Sequence, residues 1–85
     1  MIIIGGFSAR ITESMEGREG LAYRVTIRLN GKIVGWAHNS GDGGADMFDF
    51  KSKQDRVAFY KVVERHTPKK AFERDARLLD QLLGT

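Results

Sequence analysis

The sequence predicts an α+β fold, a small antiparallel β-sheet of three to four strands followed by two α-helices packed on one sheet face. Period-two alternation of apolar and polar residues recurs in the first half of the chain. Asn30-Gly31 separates two strand-like runs and is a strong hairpin signal, because both turn positions need a positive φ. After Ser52, apolar residues recur at helical spacing. We expect residues 1–85 to form a single domain with one modest core.

The first predicted strand covers residues 7–13, after a short apolar run at residues 2–4 that we expect to form a brief strand. Gly5-Gly6 separates the two runs. Alternation directs one set of side chains to the core: Phe7, Ala9 and Ile11. The other set faces away: Ser8, Arg10 and Thr12. Residues 14–20 are polar, contain two glycines and are predicted to form a loop.

The two-residue turn fixes the predicted register of the hairpin. Four pairs follow: Leu29 with Lys32, Ile27 with Val34, Val25 with Trp36, and Tyr23 with His38. Opposed residues share a face, so one face forms the core: Tyr23, Val25, Ile27, Leu29, Val34 and Trp36. The other face carries several small residues and two arginines: Ala22, Arg24, Thr26, Arg28, Ile33, Gly35, Ala37 and Asn39. We therefore expect Trp36 to be buried against the first helix.

A glycine-rich loop and a short strand follow the hairpin. Residues 39–46 are rich in Gly and Asx, which favour turns, and residues 47–50 alternate as a short final strand. The loop lacks the spacing of a phosphate-binding loop, and its aspartates repel anions. We expect it to contact a partner through Ser40, Asp42 and Asp46.

Two helices complete the chain. Ser52 and Asp55 form a variant capping box, and the first helix presents an apolar face of Ala58, Phe59, Val62 and Val63. Thr67-Pro68 predicts the start of a second helix over residues 68–83. Its apolar stripe is Phe72, Ala76, Leu79, Leu82 and Leu83. Since Leu78 adds to this apolar surface, a weak homodimer through the carboxy-terminal helix is a further prediction.

Composition narrows the function classes. The chain has no cysteine, a formal net charge of +3 and a sequence pI near 9.5. No nucleophile elbow, catalytic triad order or zinc or calcium ligand spacing occurs, so we expect neither an enzyme nor a bound metal or cofactor. Without a signal-peptide core or a long apolar run, we expect a cytoplasmic protein with no membrane partner.

Two basic surfaces are the candidate binding sites. Arg10, Arg24 and Arg28 share the predicted polar sheet face, and guanidinium groups suit phosphate contacts. The second surface is a helix stripe: Lys69, Lys70, Arg74 and Arg77. The leading hypothesis is a small non-enzymatic module that binds nucleic-acid phosphates. The alternative is that neither surface binds a partner, because a polar face of a sheet or helix is commonly just exposed to solvent.

The predicted layout resembles the three-stranded sheet plus helix of AP2-type and integrase amino-terminal arm-binding domains, which read DNA with the sheet. The resemblance is one of layout and assigns no site residue. A compact chain without enzyme motifs also looks like the small proteins of phages and mobile elements that occlude a host factor. That resemblance implies a second hypothesis, an inhibitor or adaptor that binds a host protein.

Overall fold

The computed structural model describes residues 1–84 and confirms the α+β prediction. Four strands precede two helices: β1 (Phe7–Glu16), β2 (Leu21–Leu29), β3 (Lys32–Asn39), β4 (Met47–Phe50), α1 (Lys53–His66) and α2 (Arg74–Leu83). The strands form one antiparallel meander in the order β1-β2-β3-β4. The first strand is longer than predicted and continues to Glu16. Ile4 makes only an isolated bridge with Phe7, so the predicted brief strand at residues 2–4 is wrong.

The hairpin turn is as predicted, but the register beyond it is not. Asn30 and Gly31 have φ values of 51° and 86°, and Leu29 pairs with Lys32. A β-bulge then inserts one extra residue, Val34, into β3. Every later pair is shifted by one residue: Ile27 with Gly35, Thr26 with Trp36, Val25 with Ala37, Arg24 with His38, and Tyr23 with Asn39.

A one-residue shift exchanges the two faces of a strand, and this corrects the predicted position of Trp36. Val34 is 7% exposed and Ala37 is fully buried, whereas Trp36 is 39% exposed on the opposite face. Gly35 also lies on the buried side. The expectation that Gly35 and Ala37 leave an open, small-residued surface is therefore wrong.

The core lies between one face of the sheet and the helices. Phe59 of α1 is fully buried and contacts aromatic rings from both edge strands of the sheet. Its ring centroid is 5.3 Å from that of Phe7, 5.6 Å from that of Phe48 and 5.1 Å from that of Phe50. Aromatic pairs at these separations stabilise a core beyond their buried area. Both helices therefore cover the same face and leave the other face to solvent.

The first helix begins as predicted, but the second begins later. Ser52 caps α1 by accepting a hydrogen bond from the Asp55 backbone N–H at 3.1 Å. Thr67 does not start α2, because its backbone N–H and its hydroxyl both donate to the Val63 carbonyl at the end of α1. A turn follows at Pro68, and α2 starts only at Arg74. Phe72 lies outside the helix and is 87% exposed, so its predicted place in the apolar stripe is wrong.

The leucines of α2 pack in the core of the chain itself. Leu78, Leu79 and Leu82 are all buried in the common core, and Leu83 packs against it. The surplus apolar surface that motivated a homodimer through this helix is therefore not found there. Among residues 1–84, no helix combines the length and the apolar composition that crossing a membrane requires.

Candidate functional site

The face of the sheet that the helices leave open, here called the outer face, carries the three predicted arginines. Alternation on β2 places Arg24 and Arg28 on this face, and Arg10 of β1 joins them because it pairs with Thr26. Arg28 pairs with Ser8 of β1, while Arg24 lies between Glu13 of β1 and His38 of β3. The structure thus brings together all three residues of the predicted sheet site.

Sheet geometry fixes the spacing of these arginines. Arg24 and Arg28 are four residues apart on one strand, which separates their backbones by about 13 Å. Arg10 is a diagonal neighbour of both, at about 7–8 Å. The three side chains therefore rise from a triangle of backbone positions on a surface made by two paired strands.

The guanidinium groups of this triangle have no acceptor in the part of the chain that the structure describes. Among residues 1–84, no side chain or carbonyl accepts a hydrogen bond from Arg10, Arg24 or Arg28. Thr12 is nearby, but its hydroxyl donates to the Arg24 backbone carbonyl, at 3.2 Å. Each arginine therefore keeps its full set of N–H donors for a molecule outside the chain.

Trp36 joins this face and was missed by the sequence analysis. It lies in a surface depression whose other members come from all four strands: Thr12, Arg24, Thr26, Ala37, His38 and Asp49. The signal that could have found it is Gly35, since a glycine inside a strand often marks a bulge. A Cβ on Gly35 would lie 2.5 Å from the Asp49 carbonyl oxygen, so β4 packs too close for any other residue.

The charge of the outer face is graded across the sheet. Its arginines lie on β1 and β2, whereas β4 contributes Asp49, which pairs with Trp36. Glu13 sits opposite Arg24. Anionic groups are therefore favoured over the first two strands, and the apolar indole marks the boundary with the acidic side.

The predicted basic helix stripe is not formed. Lys69 and Lys70 lie in the turn before α2, so they do not share a helix face with Arg77. Arg74 is used structurally, because its Nε donates to the Thr67 hydroxyl at 2.9 Å and its Nη2 to the Glu64 carbonyl at 3.2 Å. Lys70 and Arg77 remain exposed, but the four residues do not make one surface.

The predicted partner loop divides into exposed and inward-facing residues. Ser40 and Asp42 are exposed, whereas Asp46 turns inward and accepts hydrogen bonds from Asn39 Nδ2 at 3.0 Å and from the Tyr23 hydroxyl. Burial first, and then this bond to Asp46, raise the pKa of Tyr23 above its ordinary range. Asp46 thus anchors the loop, and the availability of this residue to a partner is reduced.

Two further findings bear on interpretation. Within residues 1–84, no group of three or more His, Asp or Glu side chains is arranged to hold a metal ion. No family model, curated protein or solved structure matches the chain.

Proposed function

We propose that this protein is a small non-enzymatic binding module that contacts nucleic-acid phosphates through the outer face of its sheet. The observation that carries the proposal is the triangle of Arg10, Arg24 and Arg28, whose donors meet no acceptor in the described chain. A planar guanidinium fork matches the oxygens of a phosphate, and the fork stays charged at any physiological pH.

The surroundings of the triangle favour a phosphate over an isolated carboxylate ligand. Thr26 lies between Arg24 and Arg28 on β2 and opposite Arg10, so a hydroxyl is central to the three charges. The spacing of about 7–8 Å between neighbouring arginine backbones suits a ligand with several anionic groups in a row. Phosphate contacts of this kind position a nucleic acid without reading its sequence.

The test measures how tightly the wild type and its variants bind a generic DNA or RNA at several salt concentrations. The main variant combines Arg10→Ala, Arg24→Ala and Arg28→Ala, and its affinity should be lower because the phosphate contacts are gone. The dependence of log affinity on log salt should become shallower by about 2 to 3, near the contribution of three contacts. A triple Arg→Lys variant should keep much of the generic affinity, since the charge remains.

A matched control separates the site from net charge. Changing Lys61, Arg65 and Lys69 to alanine removes the same three charges from exposed positions away from the outer face. Either triple alanine variant lowers the formal net charge from +3 to 0, that is 3 − 3. Equal losses in both variants, or no binding by the wild type at low salt, would contradict the proposal.

A second candidate function is an inhibitor or adaptor of the phage or mobile-element type that binds a host protein. The observation that favours it is the apolar content of the outer face, where Trp36, Ile33, Met15 and Met47 are all exposed. Tryptophan and arginine together are enriched in the energetic centres of protein interfaces. The exposed Ser40 and Asp42 of the loop at residues 39–46 would add polar contacts to such a partner.

Affinity capture from lysate distinguishes the two functions. The tagged protein is incubated with lysate that has or has not been treated with nuclease. A partner that is retained after nuclease treatment, and is lost from the triple alanine variant, supports the protein-binding function. A partner that disappears with nuclease supports nucleic-acid binding.

A further inference from the structure

We infer that Trp36 is a stacking platform for an unpaired base, so that the ligand of the outer face is a single-stranded nucleic acid. The inference rests on the proposed function and specifies its substrate class. Its starting observation is the bulge at Val34, which sends Val34 into the core and turns the next-but-one residue, Trp36, to solvent.

Trp36 is placed where a flat ligand has room. It lies on β3, an interior strand of the four-stranded sheet, and pairs with Thr26 on one side and Asp49 on the other. Both neighbours are small beside an indole, and Trp36 lines a surface depression of this face. At 39% exposure, a substantial part of the largest side chain on this face remains in contact with water.

The indole also lacks a stacking partner in the described part of the chain. Within residues 1–84, no aromatic ring or guanidinium group stacks on Trp36, although an arginine does lie over a ring elsewhere, with Arg56 at 5.4 Å from the centroid of Tyr60. Bases stack on aromatic side chains with little regard for sequence, because every base has a π-face.

The charge gradient orients the ligand. Arg10, Arg24 and Arg28 outnumber Glu13 on β1 and β2 and attract phosphates there, whereas Asp49 beyond Trp36 repels them. A strand that runs along the arginines therefore directs its bases over β3 and toward β4. The bases of a duplex are stacked on each other and paired, so a duplex can use the arginines but not the indole.

Fluorescence provides a direct test, since Trp36 is the only tryptophan of the chain. The wild type is titrated at low salt with oligo(dT), with oligo(U) and with a duplex of matched length. Both single strands should change the emission of Trp36 and bind more tightly than the duplex. A difference between oligo(dT) and oligo(U) identifies which of the two the face prefers.

Variants separate stacking from charge. Trp36→Ala should weaken single-strand binding by about 5- to 150-fold and leave duplex binding unchanged, because one stacked base is lost. Trp36→Phe should retain much of the affinity. Ile33→Ala is the matched control, since Ile33 is 38% exposed on the same strand and face but has no π-system.

The outcomes distinguish this inference from the function on which it rests. If Trp36→Ala binds single strands as well as the wild type does, or if duplex binds equally tightly, the stacking inference is overturned while the arginine site stands. If the wild type binds neither form at low salt, both are overturned. Loss of a nuclease-resistant protein partner from Trp36→Ala, without nucleic-acid binding, assigns the face to the alternative function.

Discussion

The arginines in two basic regions of this protein have different roles, one available to a ligand and the other structural. On the outer face, Arg10, Arg24 and Arg28 meet no acceptor among residues 1–84. At the corner between the helices, Arg74 reaches Thr67 with two donors and Glu64 with one. The sequence shows both regions only as basic residues at regular spacing.

The role of each arginine depends on whether unpaired backbone carbonyls lie within its reach. At the corner, α1 ends and leaves carbonyl groups without helical partners, and the guanidinium group of Arg74 satisfies the Glu64 carbonyl at 3.2 Å. On the sheet, most backbone carbonyls lie in the plane of the sheet and are already paired in the ladder, and the guanidinium groups of Arg10, Arg24 and Arg28 have no acceptor among residues 1–84. Backbone geometry near the residue, and not its charge, separates a structural arginine from one available to a ligand.

The largest effect on stability should come from Arg74→Ala. Its removal leaves the Thr67 hydroxyl and the Glu64 carbonyl without their donor, so the free energy of unfolding should fall by about 1.5 kcal/mol or more. Chemical denaturation measures the change. The control is Arg77→Ala, an exposed residue of the same helix, which should change stability by less than about 0.5 kcal/mol.

Substitutions in the two regions should rank in the opposite order in their effect on nucleic-acid affinity. Arg74→Ala should bind much as Arg77→Ala does, since each lacks one charge outside the outer face. Arg24→Ala should leave stability within about 0.5 kcal/mol of the wild type, because its side chain makes no hydrogen bond or ion pair with residues 1–84. Equal destabilisation by Arg24→Ala and Arg74→Ala would contradict the distinction between the two regions.

A smaller loss of stability is expected from Thr67→Val. Thr67 is 6% exposed, and its hydroxyl donates to the Val63 carbonyl and accepts from Arg74. Removing this buried hydroxyl should cost about 1 kcal/mol in unfolding free energy. Thr12→Val is the matched control, since the Thr12 hydroxyl makes one exposed bond to a carbonyl at the sheet surface. If Thr12→Val lowered the unfolding free energy as much as Thr67→Val does, burial of the hydroxyl would not be the cause of the loss.

The comparison also shows how far the sequence predicts this fold. Local signals succeeded where one short segment decides the structure, as at the Asn30-Gly31 turn and the Ser52 cap. They failed at the bulge of β3, because period-two alternation does not account for an inserted residue such as Val34. Gly35 beside the bulge accommodates the close approach of β4, a contact that local spacing does not reveal.

The same reasoning explains the outcome for the site. The positions of Arg24 and Arg28 follow from alternation on one regular strand, so the prediction that they share a face is confirmed. Trp36 lies beyond the bulge, and its predicted burial is wrong for that reason. Thr67 had two local uses, as the cap of the following helix or of the preceding one, and the structure takes the second.

The smallest expected effect is an alkaline loss of stability at the corner, which the outer face does not share. The Tyr60 hydroxyl of α1 donates to Asp75 of α2 at 2.9 Å. Burial first, and then this bond, raise the pKa of Tyr60 from its ordinary value of 10.0 to about 12. The folded state therefore holds this proton more tightly than the unfolded state does. That stabilisation is fully present below the unfolded pKa and is lost as the pH rises through the folded pKa.

Tyr60→Phe tests this contribution, because the variant has no proton to lose at that position. Between about pH 10 and about pH 12, the unfolding free energy of the variant should fall less steeply than that of the wild type. The Tyr23 hydroxyl remains in the variant and its pKa is also raised, so part of the alkaline slope should persist. The guanidinium groups of the outer face stay protonated throughout this range. Parallel slopes in the two proteins would show that the Tyr60–Asp75 bond does not contribute to joining the helices, and the corner would then depend on Arg74 and Thr67 alone.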